Sequence, residues 1–188
     1  VKRTLANRIA DLAPRPAIVT IDGLSGAGKT FLGEALVREL AAGGLHSLLL
    51  EVELWAHGWS DLTGAVDRVR RVVADLQEGS ATTRTWNWWT ESEEPPIVLH
   101  PRPVIIVVGC GAGQIPSHLS IWIDADEELR ASRVSARDPY DWSEHWDEWA
   151  RQEQRLLTQW DARAQADVRL TASPSGDLTA SCEKSLGE

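Results

Sequence analysis

Residues 23–30 read Gly-Leu-Ser-Gly-Ala-Gly-Lys-Thr, and the apolar run Ala-Ile-Val-Thr-Ile-Asp leads straight into them. A strand, then Gly23-x-x-x-x-Gly28-Lys29-Thr30, then an amphipathic helix is the pattern of a loop whose backbone N–H groups curl around a phosphate chain. Glycines at 23, 26 and 28 let the main chain approach an anion without a Cβ in the way. Leu24, Ser25 and Ala27 complete the cradle, and the helix start adds partial positive charge. Lys29 has the reach for the β- and γ-phosphates, and the Thr30 hydroxyl suits Mg²⁺. The expected cofactors are therefore ATP and Mg²⁺.

Phosphoryl transfer further needs an aligned acceptor and positive charge at the transferring group. Glu51 and Glu53 stand two apart near the end of a second apolar run, so a strand there turns both to one face. Glu53, nearer the end, is the candidate to orient or deprotonate an acceptor hydroxyl, or to hold Mg²⁺ through water. The plainer alternative leaves both carboxylates in solvent at a sheet edge. Asp22, just before the loop, either organises metal waters or bonds the loop itself.

Arg130, Arg133 and Arg137 recur at i, i+3, i+7 on one helical face. They form either a solvated basic face or a lid closing positive charge over a phosphate. Trp59, Trp86 and Trp88 fall in loops, where indoles can stack on a planar substrate, and Arg84 and Asn87 add polar contacts. Their alternative is a hydrophobic loop cluster. Trp142, Trp146 and Trp149 share a helix face, as core or as a stacking wall. The five histidines show no metal-ligand spacing.

These residues need a scaffold. Apolar runs predict strands at 17–22, 47–53, 104–108, 119–124 and 168–170. Helical periodicity predicts helices near 3–12, 29–42, 65–76 and 142–161, with one more after Asp124 carrying the arginines and ended by Pro139. Residues 80–100 are polar and Trp-rich, suited to a hairpin or short strands. Strands alternating with helices imply a three-layer α/β fold around a parallel sheet. One domain over 1–172, with a lid at about 126–145, is expected; 173–188 read as a polar, flexible tail.

At 188 residues the chain is long enough for a substantial core, and its 43% hydrophobic and 25% charged residues are those of a globular protein. The net charge of −9 argues against nucleic acid or a membrane surface as partner and leaves room for a small-molecule substrate. Oligomeric state is left open. Two cysteines and no apolar N-terminal core point to a cytoplasmic protein.

Taken together, the loop, Gly58-Trp59-Ser60-Asp61-Leu62, Trp86-Asn87-Trp88, Gly109-Cys110-Gly111-Ala112-Gly113, Ala136-Arg137-Asp138 and Trp146-x-x-Trp149 resemble the P-loop nucleoside and nucleotide kinases. The nearest resemblance is to actinobacterial uridine-kinase-like ATP-binding proteins. It covers roughly residues 15–170. It implies a five-stranded parallel sheet, a phosphate site at the strands' carboxyl ends, an arginine-bearing lid in which Arg133 and Arg137 are the candidates to act, and γ-phosphate transfer from ATP to a small acceptor such as a nucleoside. It also implies an acid before the glycines that follow the third strand. Val108 stands there instead, so either another carboxylate (Glu53 or Asp22) compensates or the chain binds nucleotide with weak or no turnover.

Overall fold

The computed structural model describes residues 1–137 and 143–183. Its centre is a six-stranded sheet. The strands are β1 (Ala17–Asp22), β2 (Ser47–Glu51), β7 (Val104–Val108), β8 (Leu119–Asp124), β9 (Val168–Ala172) and β10 (Leu178–Glu183), in the order β10-β9-β8-β1-β7-β2. β1 pairs in parallel with both β7 and β8, β2 with β7, and β9 with β8; β10 alone runs antiparallel, to β9. All residues of β1 and β7 are buried, as expected of strands covered on both faces.

Strand alternation sorts the core into two layers. Val19, Ile21, Val104, Ile106 and Val108 pack with α1 (Lys2–Ala10) and α2 (Lys29–Ala42). Ile18, Ile105 and Val107 pack instead with α3 (Leu62–Glu78) and with Trp149 and Leu156 of α5 (Ser143–Gln159). The helix α4 (Glu127–Arg137) follows β8, and the short α6 (Ala162–Gln165) precedes β9. Among the described residues no helix is long and apolar enough to cross a membrane.

The hairpin or short strands expected over 80–100 are present, and one departure from the sequence expectations follows them. Residues 81–99 form two nested antiparallel ladders, β3 (Ala81–Thr83) with β6 (Ile97–Leu99) and β4 (Trp86–Asn87) with β5 (Ser92–Glu93). The segment read as a tail is also structured. A turn at 173–177, closed by Ser173 N–H donating to Asp177 O at 2.9 Å, sends β10 back along β9. An edge strand has one partner and a solvated side, so polar residues such as Thr179 and Ser181 conceal it. The expected lid at 126–145 includes Trp142, and the tail includes 184–188; these lie outside the described residues.

Candidate active site

The loop between β1 and α2 opens on a cavity of about 570 Å³, and residues 25–30 line it. The backbone N–H groups of Gly26, Gly28, Lys29 and Thr30 donate to no protein acceptor among the described residues. Unpaired amides at a helix start are the makings of an anion nest. Gly28 caps α2 at φ 103°, and Gly26 turns at φ 81°. A Cβ on Gly26 would sit 2.4 Å from the Arg130 carbonyl oxygen, so the loop fits against α4 only as glycine.

The arginines of α4 hold the loop by its carbonyls. Arg130 Nη1 donates to Ser25 O at 3.2 Å. Arg133 Nη1 donates to Ala27 O at 3.2 Å and Gly26 O at 3.4 Å, while its Nη2 reaches Ser173 O at 3.0 Å. Arg133 therefore clamps the loop to the 173–177 turn and also lines the cavity. The side chain of Arg137, the other lid candidate, lies outside what is described.

Behind the loop is a buried ionic knot. Lys29 is 7% exposed; its Nζ donates to Leu24 O and to Cys110 Sγ, both at 3.2 Å. Burial works against the ammonium, but Cys110 and the charges of Glu53, Glu153 and Asp22 outweigh it and raise its pKa, so Lys29 stays charged. Asp22 accepts N–H donors from Gly23, Gly111 and Gly113 at 2.7, 3.0 and 2.9 Å. Burial pushes its carboxyl up to about 6, against those donors and Lys29, which pull it down. Asp22 thus fastens the loop to the turn after β7, the second of the two roles open to it.

Glu53 comes from a 3-10 turn, Val52–Trp55, that breaks strand alternation right after Glu51. Both carboxylates nevertheless line the cavity. Glu53 Oε1 accepts the Cys110 N–H at 3.1 Å, and its carbonyl accepts Trp88 Nε1 at 3.1 Å. Trp59, Trp88 and Trp149 line the same end. Their ring centres are 4.9 Å apart for Trp59–Trp88, 6.0 Å for Trp59–Trp149 and 6.4 Å for Trp88–Trp149, all steeply inclined. Trp149 of the helix stripe is 3% exposed, so it serves both core and cavity wall.

Three expected substrate contacts do not line the cavity. Arg84 donates to Glu94 O and pairs with Glu93. Trp86 stacks on His57 at 5.0 Å. Asn87 accepts the N–H groups of Trp89 and Thr90 and donates to Glu94. Arg84 and Asn87 brace the nested ladders, since a short hairpin needs its own side-chain bonds to close, and Trp86 ties them to His57.

Sequence reasoning missed two residues on α5. Gln152 Nε2 donates to Trp59 O at 2.6 Å, and its Oε1 accepts Leu62 N–H at 2.9 Å. Glu153 accepts Ser25 N–H at 2.8 Å, Ser25 Oγ–H at 2.7 Å and the Cys110 thiol at 2.9 Å. Both are under 7% exposed. The signal was available: they lie at i+3 and i+4 from Trp149, on the face that buries.

No family model matches the chain, and no curated protein does. Solved structures do. A possible uridine kinase from Bacillus stearothermophilus superposes with TM-score 0.63 at 16% identity, over 89% of this chain and 96% of that one. D-glycerate 3-kinase from Cryptococcus neoformans gives TM-score 0.58 at 10% identity, over 95% and 94%. A kinase assigned to a fructose transport system of Silicibacter gives 0.57 at 18%, over 88% and 95%. The chain has the fold of the P-loop kinases.

Proposed function

We propose that this protein transfers the γ-phosphate of ATP to a hydroxyl of a small, planar acceptor such as a nucleoside. The observation that carries this is the row of unpaired N–H groups at Gly26, Gly28, Lys29 and Thr30, facing one cavity with Lys29 and Glu53. Phosphoryl transfer is mostly positioning and charge, and those groups supply both. The nest and Lys29 bind the phosphates, and Arg133 holds the loop in shape. Glu53 takes the acceptor hydroxyl as hydrogen-bond acceptor or base, and Trp59, Trp88 and Trp149 offer the acceptor a wall to stack on.

Thr30 and Glu53 line the cavity beside the loop and suit a Mg²⁺ that keeps its waters and otherwise binds phosphate oxygens. Among the described residues no three His, Cys, Asp or Glu side chains are grouped to hold an ion alone. When bound, the ion neutralises charge on the phosphate chain. A second reading, nucleotide binding without turnover, is favoured by the wholly buried Val108 at the position of the expected acid.

Calorimetry with ATP and Mg²⁺ tests the binding half. We expect saturable binding that Lys29→Ala weakens at least about a hundredfold, through loss of a charge-assisted phosphate contact; undiminished binding by that variant would end the proposal. A γ-phosphate transfer screen over hydroxylated planar compounds separates kinase from binding module. An acceptor that reacts also quenches tryptophan emission if the indoles are its wall.

A further inference from the structure

We propose that Cys110, seated on Glu153, is a positioning residue for Lys29. The inference rests on the reading of Lys29 as the phosphate-binding cation.

The atoms form one chain. The Cys110 thiol donates to Glu153 Oε1 at 2.9 Å, and its sulfur accepts Lys29 Nζ at 3.2 Å. Burial first, then the neighbouring Glu153 charge, pushes the thiol pKa up, so the sulfur keeps the proton it donates. The backbone of Cys110 is held separately by Glu53 Oε1 on its N–H. Cys110 and Glu153 are 2% and 5% exposed and do not line the large cavity. They therefore touch no ligand there and act through Lys29. A buried carboxylate persists only where donors and a cation compensate its desolvation. Glu153 has three donors on one oxygen and the Lys29 charge nearby. Val108 cannot contribute, since it packs in the opposite layer with α2. Among the described residues Lys29 has two partners that aim its ammonium, Leu24 O and the sulfur, and of these only the sulfur is a side chain.

The chain has three lysines, Lys2, Lys29 and Lys184, so ¹⁵N-lysine labelling of the full protein gives a readable Lys29 ammonium signal, assigned with Lys29→Ala. Cys110→Ala is expected to move that signal toward free lysine and to weaken ATP binding about tenfold, the effect of one hydrogen bond to a charged group. Cys110→Ser, which can donate and accept at the same place, restores the signal and brings affinity to within about threefold. Glu153→Gln keeps an acceptor but not the charge, and moves the signal in the same direction as Cys110→Ala. Serine and alanine variants that behave alike, or affinities that merely follow Tm with the signal unmoved, overturn the proposal and leave the pair as a brace for α5. The ammonium signal is read without nucleotide, so the two failures separate. If Lys29→Ala abolishes ATP binding while the Cys110 variants change nothing, only this inference falls. If Lys29→Ala binds ATP undiminished, the proposed function falls, and this inference falls with it.

Discussion

Val108 closes β7 with its side chain wholly buried in the α2 layer; a Cβ on Gly33 would lie 2.7 Å from its Cγ1. A carboxylate put there meets Gly33 and apolar neighbours, not the cavity. Val108→Glu is therefore expected to cost at least about 3 kcal/mol of stability in urea unfolding, as an unpaired buried charge does, and to add no ATP affinity. A stable variant with increased phosphate transfer would show instead that the position faces the site. Arg133 differs from a free lid arginine. Its guanidinium is spent on three carbonyls, two in the loop and one in the 173–177 turn, so its charge at the cavity is held in one orientation.

At the scale of elements, α5 grips two loops from adjacent positions: Gln152 fixes the backbone around Trp59 and Leu62, and Glu153 fixes Ser25. The tryptophan end of the cavity and the glycine loop are thereby tied to one helix. On the other flank, α4 docks on the loop with no room to spare at Gly26. Gly26→Ala adds a methyl 2.4 Å from a backbone oxygen at φ 81°, where an L residue is also strained. Expected results are a loss of about 2 kcal/mol or more in stability and ATP binding weakened beyond tenfold, because the loop and α4 must part. Unchanged calorimetry and unfolding midpoints would mean that α4 is not a fixed wall of the site.

For the whole molecule, the sheet order sets β1, with the loop at its end, between β7 and β8, and the chain's last strands complete the far side. Ala172, Gly176 and Leu178 line the cavity with Val134, opposite the tryptophan end. A ligand filling this space contacts segments from residue 25 to residue 178, so binding should be felt globally. At about a hundredfold excess over Kd, ATP should stabilise the fold by about 2.7 kcal/mol, or raise Tm by about 5–10 °C for a chain of this size. A scan with ATP and Mg²⁺ that leaves Tm where it was would contradict a nucleotide site of this extent.

Local pattern fixed much of this chain. The apolar runs at 17–22 and 104–108 became fully buried strands because both faces of a parallel sheet need apolar cover, and the glycine spacing at 23, 26 and 28 encoded a bend few other sequences tolerate. Lys29 and Thr30 followed from that bend alone, since their place at the helix start is set by neighbours in sequence. Partnership across the fold was different. Whether Arg84 met a ligand or a hairpin, whether Val108 faced cavity or core, that Glu153 came to Ser25 from 128 residues away, and that 178–183 paired as a sheet edge were all decided by packing. Each depends on which surfaces meet when distant segments close on one another, and burial energies of that kind leave no mark in a local window of residues.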